Sequence, residues 1–370
     1  MSKDINSEVF DETTLTKLDI YEGYLEAWLP VFVLTPHYGK SAAIWDFFAG
    51  SGQDAKKAPG SPLRILKQIN AYKDRIVEQN MSIRVVLNEG MKRKAASLHN
   101  LIEGMRPGWT AGGRVRVECR NEDFQALFPR MIPQMRQQPN LVFLDQYGVK
   151  EVNDEVFRRL IEIPRTDFLF FISSSAIKRF AATPEFSMIF PDISPEKVDS
   201  VKMTDAHRMV LEYYRRMIPA GNSTRLYPFS LRRRSNIYGL IFGSGHPLGA
   251  EKFLDLAWET NQLNGEANFD INDDIGNAIK GLFVECNRPT KRECFENDLE
   301  RFIRGAKETD NRAVYEFTMQ QGHPKAHARE CVLRLRKEKK IDFKGRIGFS
   351  YKSCFGKSPR IVAIKAAKHG

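Results

Sequence analysis

The residues best suited to chemistry in this 370-residue chain are acids that close short apolar runs. Ala42-Ala43-Ile44-Trp45 ends in Asp46, and Phe47-Phe48-Ala49-Gly50-Ser51-Gly52 follows at once. Ile83-Arg84-Val85-Val86-Leu87-Asn88 ends in Glu89. Val115-Arg116-Val117-Glu118-Cys119 is followed by Asn121-Glu122-Asp123-Phe124. Asn140-Leu141-Val142-Phe143-Leu144 ends in Asp145, with Gln146-Tyr147-Gly148 behind it. A carboxylate accepts two hydrogen bonds from a sugar diol, or one from an exocyclic amine. The glycines after Asp46 let a ligand lie against the backbone, where a Cβ would block approach or forbid the dihedrals. Acids gathered at one edge suit a ligand with ribose hydroxyls and an adenine amino group. A tight strand-to-helix connection with no ligand is the other use of such a turn.

These acids need elements that bring them together. The four apolar runs recur at roughly thirty residues, with helical patterns between them, as at 63–69 and 95–102. Alternating strand and helix predicts βαβ units and a parallel sheet, with the acids at its carboxyl ends, where open α/β sheets bind ligands. Residues 168–172 predict a fifth strand, followed by a polar turn at Ser173-Ser174-Ser175. Residues 182–226 predict a helical insertion, and 227–231 with 237–242 a closing hairpin. His246, after the hairpin, reads as structural more readily than catalytic. The Asn-, Asp- and Gly-rich segment 262–274 reads as a loop.

The order Asp46-Phe47-Phe48-Ala49-Gly50-Ser51-Gly52, Glu89, Asp123-Phe124 and Asp145 resembles class I methyltransferases that use S-adenosylmethionine. The resemblance implies a Rossmann-like sheet in which Asp46, Phe48, Ala49, Gly50, Ser51 and Gly52 wrap the methionine part of the cofactor. It implies that Glu89 holds the ribose and that Asp123 with Phe124 lies near the adenine. A dinucleotide turn would need a third glycine, at a position that Ala55 or a neighbour holds. Further marks are Tyr24-Leu25-Glu26-Ala27-Trp28-Leu29-Pro30, Gly60-Ser61-Pro62-Leu63, Asp145-Gln146-Tyr147-Gly148, Tyr238-Gly239-Leu240-Ile241-Phe242, His246-Pro247-Leu248-Gly249 and Trp258. In order, over most of the chain, these resemble three-Cys-motif partner proteins (TcmP). That likeness implies a C-terminal helical module, a partner that carries the three cysteines, and a phage or mobile-element setting. It implies no substrate. Such proteins commonly have Asp-Pro-Phe-Gly where this chain has Asp145-Gln146-Tyr147-Gly148, and proline would stiffen that loop.

Amino-methyltransferases that act on bases place an acid or amide against the target amine and stack an aromatic ring on the flipped base. Asp145 and Tyr147 suit those roles, and Gln146 adds a donor and an acceptor. The alternative is that Asp145 caps a turn and Tyr147 packs.

The formal net charge is +11, and an excess of basic residues suggests a polyanion partner, usually nucleic acid. Basic residues gather at Arg215-Arg216, at Arg232, Arg233 and Arg234, and between 324 and 346. Within that last stretch, 312–319 and 328–335 read as helices. Residues 341–343, 345–351 and 361–364 read as short strands, and the whole resembles a winged helix. Lys325, Arg329, Arg336 and Lys340 join Arg232, Arg233 and Arg234 as nucleic-acid-binding candidates, with docking or dimerisation as the other use of the module. Five cysteines without a Cys-x-x-Cys pair predict neither a zinc site nor a disulfide framework. The polar start and the lack of a long apolar run predict a cytoplasmic protein with no membrane span. The expected organisation is an α/β domain over 1–262, a connection over 263–305 and the winged module over 306–370. The expected function is methyl transfer from S-adenosylmethionine to nucleic acid, DNA or RNA, or a non-catalytic nucleic-acid-binding adaptor.

Overall fold

Every apolar run that ends in an acid forms a strand of one sheet. A computed structural model describes residues 9–35, 39–146, 149–233, 236–275, 288–306 and 308–367. The chain divides into two units, 1–246 and 247–370.

The first unit opens with helix α1 (Glu12–Val33) and continues with β1 (Ser41–Asp46), α2 (Ser61–Ala71), α3 (Lys73–Glu78), β2 (Ser82–Asn88) and α4 (Lys92–Trp109). Then come β3 (Val115–Arg120), α5 (Phe124–Met135), β4 (Asn140–Leu144), α6 (Asp154–Glu162) and β5 (Thr166–Ser173). Four helices fill the insertion: α7 (Ser174–Phe180), α8 (Pro184–Ile189), α9 (Pro195–Ser200) and α10 (Met203–Met217). The hairpin of β6 (Arg225–Arg233) and β7 (Asn236–Ser244) closes the sheet. The order is β3-β2-β1-β4-β5-β7-β6. Strands β1 to β5 run parallel, and β7 runs against both its neighbours. This is the expected α/β, Rossmann-like methyltransferase sheet with a helical insertion.

β1 lies in the middle of this sheet and is buried after its first residue. Buried polar side chains hold the strand ends in register. At the amino end, the Trp45 indole donates to Asn140 Oδ1 at 2.9 Å. The Asn140 amide in turn donates to the Met135 and Gln138 carbonyls and to Thr166 Oγ1. Buried amides of this kind are stable only when fully bonded. Helix α1 crosses to β5 through Tyr24, whose phenol donates to Asp167 Oδ2 at 2.7 Å.

The second unit contains α11 (Pro247–Thr260), α12 (Lys291–Gly305), β8 (Thr309–Asp310), α13 (Asn311–Gln320) and α14 (Lys325–Lys337). It ends with β9 (Ile341–Asp342), α15 (Tyr351–Phe355) and β10 (Ala363–Ala366). The small antiparallel sheet has the order β8-β10-β9. Three helices, a turn at Gly322 with φ +71°, and a strand–loop–strand wing make a winged helix. Asn311 fastens the wing: its amide donates to the Gly348 and Arg360 carbonyls, and its carbonyl accepts from Val362 N–H at 2.9 Å.

Three expectations change here. The division falls after His246, not near 262. α11 carries Trp258, which packs on His323 and His327 and donates to the Gly322 carbonyl, so this helix belongs to the winged unit. Nor is the stretch before 306 only a connection. α12 begins with a Thr290–Glu293 capping box and buries Phe295, Leu299 and Ile303 in the same core as Val332 and Leu335. Finally, 345–351 forms no strand, because Ser350 caps α15 instead.

Burial pushes the Asp167 carboxyl up to about 6, offset in part by bonds from Ser244, Tyr24 and Trp28. An acid raised in this way loses stability as pH climbs from its unfolded value through about 6. Tyr24→Phe removes a donor to the charged form. It is expected to cost about 1–3 kcal/mol at pH 8 and clearly less at pH 5. Denaturant titrations at both pH values check this, and an equal cost at both would contradict it.

Candidate functional site

The four acids meet along one edge. Asp123 follows β3, Glu89 follows β2, Asp46 ends β1 and Asp145 follows β4, and these strands are neighbours in that order. The glycine turn after β1 is set by backbone bonds. Ala49 N–H donates to the Asn88 carbonyl at 2.8 Å, and Gly60 N–H to the Gly52 carbonyl at 2.9 Å. Gly50 has φ +63° and Gly52 has φ +86°, both in the left-handed region that favours glycine. A Cβ at Gly52 would also come within 2.7 Å of the Leu101 side chain. Gly50 N–H donates to Glu89 Oε2 at 3.0 Å, and Met91 N–H to Glu89 Oε1 at 2.7 Å. The turn therefore holds the Glu89 carboxylate beside itself.

Asp46 is fully buried. Its Oδ1 accepts from Phe48 N–H at 3.2 Å, while Oδ2 is buried and has no hydrogen-bond partner among the described residues. Burial pushes its carboxyl up to about 7. The Ser61 hydroxyl and the Phe48 N–H offset part of that, and the charges of Asp145 and Glu89 add to it. Tyr21, on α1, stacks on Phe143 at 4.1 Å and has a buried hydroxyl that also lacks a partner among the described residues. Burial, and then the charge of Asp46, raises this phenol well above its ordinary range. Asp46 Oδ2 is thus a buried acceptor and the Tyr21 hydroxyl a buried donor, close enough for the charge of one to act on the other. Buried polar groups are usually satisfied. Such a pair suits a ligand end that carries both an ammonium and a carboxylate.

Asp145 is engaged: Lys17 Nζ lies 2.5 Å from its Oδ2. Lys17 and Tyr21 are four residues apart on α1, so both reach the edge from one face of that helix. Sequence reasoning passed over both. The signal was the spacing of Lys17, Tyr21, Tyr24 and Trp28, one helical stripe ahead of the first strand.

Other candidates resolve differently. Asp123 is exposed and caps α5 through Ala126 N–H. Phe124 is buried against Phe47, Phe48 and Phe128, in the core. Phe48 is partly buried, and the Ser51 hydroxyl donates to the Gln53 carbonyl. Gln146 does not offer its amide to an acceptor base. Its nitrogen donates to the Phe171 carbonyl at 2.8 Å, and its oxygen accepts from Glu151 and Val152 N–H. In place of proline, these bonds brace the loop. Tyr147 and Gly148 lie outside the described residues.

Strand β6 runs in the direction of β1, so Arg232 and Arg233 close it at the same edge as the acids. Arg234 and Cys286 lie outside the described residues. In the winged unit, Lys325 is paired with Glu251 and Asp255. Lys340 is paired with Glu300 and Glu338. Both are candidates for nucleic-acid contact, and each has acidic partners within the unit. Arg336 lies 4.2 Å over the Phe343 ring. Arg329, Lys337, Lys344 and Arg346 are exposed. Among the described residues, no group of three or more His, Cys, Asp or Glu could hold a metal ion. No described helix is long and apolar enough to cross a membrane.

Residues 268–348 match the family model of the GMT-like wHTH domain. No curated protein sequence matches the chain. Among solved structures, the O-methyltransferase from Bacillus cereus in complex with SAH is similar at 14% identity and a TM-score of 0.29. That match covers 65% of this chain and 93% of the other. A SAM-dependent methyltransferase from Aquifex aeolicus is similar at 13% identity and a TM-score of 0.24, covering 63% and 98%. The methyltransferase domain of a bacterial CtHen1 is similar at 7% identity and a TM-score of 0.28, covering 60% and 97%. Likenesses this distant do not bear on activity. Strand order and direction carry the fold.

The Asp46 carboxyl weakens the fold as pH rises from its unfolded value through about 7, because the folded state favours the proton. Asp46→Asn removes that ionisation. The variant should exceed the parent by about 4 kcal/mol at pH 8 and come close to it near pH 4, by denaturant unfolding without ligand. A variant less stable than the parent at pH 8 contradicts the burial account.

Proposed function

We propose that this chain is an S-adenosylmethionine-dependent methyltransferase that acts on nucleic acid, with the winged unit contributing to substrate binding. The unpartnered, buried Asp46 Oδ2 carries the reading. An acid costly to bury persists where a cation completes it, and the amino-acid end of the cofactor supplies an ammonium. Tyr21 would donate to the carboxylate of that same end. Glu89, already held by the glycine turn, would accept from the ribose diol, and Asp123 from the adenine amine. The cofactor supplies an electrophilic methyl group. The chain's own part is to hold the acceptor in line with it, and positioning of this kind provides much of the rate.

The exposed cations favour nucleic acid as the acceptor. Arg329 and Lys337 lie on α14, Lys344 and Arg346 on the wing, and Arg232 at the edge of the sheet. Winged helices reach a groove with the second helix of the turn and the backbone with the wing. The resemblance to three-Cys-motif partner proteins adds a protein partner of that kind and a phage or mobile-element setting to the reading. A second reading is an adaptor that binds cofactor and nucleic acid without turnover. It is favoured by one observation: the Gln146 amide is bonded to β5 and to the backbone of residues 151 and 152, which holds it away from an acceptor role.

Calorimetric titration with S-adenosylmethionine tests the first reading. The parent should bind, and Asp46→Asn and Glu89→Ala should each weaken binding by at least tenfold, about 1.4 kcal/mol. Binding that survives both changes in folded protein would place the cofactor elsewhere. A salt titration tests the winged unit. Replacing Arg329, Lys337, Lys344 and Arg346 by Ala should weaken nucleic-acid binding and lower the log–log salt slope by about one unit per lost phosphate contact. Lys340→Ala should leave the slope as it was. An unchanged slope in the fourfold variant removes this face from the interface.

A further inference from the structure

We propose that Lys17 and Asp145 form an acceptor dyad that takes a ribose hydroxyl of RNA rather than an exocyclic base amine. The inference rests on the methyltransferase reading above and names the substrate of that same site.

The dyad is held rigidly. Asp145 closes β4 beside Asp46 and raises the proton affinity of that acid. Lys17 Nζ is 2.5 Å from Asp145 Oδ2, and the two side chains are only 14% and 27% exposed. The same ammonium lies 4.8 Å from the centroid of the Phe171 ring. The Phe171 carbonyl accepts from Gln146, the residue after Asp145. Helix α1, strand β5 and the loop after β4 thus converge on one ion pair. An ion pair formed only to tether α1 to the sheet would not need to lie at the carboxyl ends of the strands, next to two unsatisfied polar atoms.

The donor and acceptor inventory selects the substrate. An ammonium has three donors and no acceptor, and a carboxylate has acceptors only. Each has capacity left after the pair forms, so the dyad presents one donor and one acceptor side by side. A hydroxyl group is both donor and acceptor and satisfies both. An exocyclic amine conjugated to a base offers hydrogens but no available lone pair. It would satisfy Asp145 and set its own hydrogens against Lys17. In nucleic acid, the hydroxyl that a protein uses to tell RNA from DNA is the 2′ one.

The step balances within the dyad. The hydroxyl oxygen attacks the methyl carbon of S-adenosylmethionine. A C–O bond forms as the S–C bond breaks, and the electron pair of that bond stays on sulfur. The hydroxyl proton passes to Asp145 and from there to water. Lys17 donates to the second lone pair of the oxygen and keeps Asp145 in place. The products are a 2′-O-methyl nucleotide and S-adenosylhomocysteine.

The test uses the full chain, radiolabelled S-adenosylmethionine, a random-sequence RNA pool and its 2′-deoxy counterpart. Nucleosides are identified after digestion. Pool binding in the presence of S-adenosylhomocysteine is measured by anisotropy, so one readout does not depend on turnover. The label should appear in 2′-O-methyl nucleosides from RNA, with none in the deoxy pool. Lys17→Met and Asp145→Asn should lower transfer by at least about a hundredfold and lose the parent's preference for the RNA pool, while S-adenosylmethionine binding by calorimetry is retained. Lys17→Arg, which keeps the charge and donors, should retain part of the rate. Label on a base nitrogen, transfer to neither pool, or a Lys17→Met variant with parental rate and preference overturns the dyad and leaves cofactor binding standing. Failure of the folded parent to bind S-adenosylmethionine overturns the underlying reading and the dyad with it.

Discussion

The carboxyl edge of the first unit is organised around a carboxylate buried at the end of its central strand. Leaving a buried polar group unsatisfied costs about 1–3 kcal/mol, and more when the group is charged. The Phe48 N–H and the Ser61 hydroxyl recover only part of that for Asp46, and two neighbouring acids add to the burden. A core optimised for stability alone would place an apolar residue there. What surrounds Asp46 also makes sense as the lining of a ligand site: a glycine turn with two left-handed residues, a phenol without a partner, and an acid clamped by backbone N–H groups.

The two ends of the site are built on different physics. On the side proposed for the cofactor, the backbone does the positioning. Gly50 and Met91 N–H groups orient Glu89, and the Asn88 amide ties the turn to the next loop by donating to the Phe47 and Glu122 carbonyls. On the acceptor side, side chains do it, through the Lys17–Asp145 pair and the Gln146 amide. A partly buried ion pair is weak evidence of stability, because desolvation opposes the Coulomb attraction. Its value here lies in direction, since it fixes where a donor and an acceptor point.

The sequence revealed the strand ends at which the candidate acids sit. Apolar runs ending in Asp46, Glu89 and Asp145 carry a local signal, since a buried parallel strand needs apolar residues and its carboxyl end is where a polar ligand can be met. Lys17 and Tyr21 were hidden because they share a stripe of α1 with Tyr24 and Trp28, which reads as packing surface, and their partners lie far away in sequence. Gln146 was read as a chemical group, but its amide bonds depend on Phe171, Glu151 and Val152, which no local pattern connects. The basic stretch from 324 to 346 was legible as a helix and a charge cluster. Which of its cations remained exposed was not, because Glu251, Asp255 and Glu300 reach Lys325 and Lys340 from helices distant in sequence. The unit boundary moved for a similar reason: Trp258 fell inside the domain expected over 1–262, yet its partners His323 and His327 lie in the winged unit.

In the proposed function, Asp46 is an acid that a bound cation completes. Selective 13C labelling of aspartate and an NMR pH titration of the Asp46 carboxyl would test it most directly, without ligand and with saturating S-adenosylmethionine. The account expects titration near 7 in the free protein. With the cofactor bound, titration should fall into or below the ordinary carboxylate range, because an ammonium beside the acid favours its charged form. The same titration curve with and without cofactor would contradict the account.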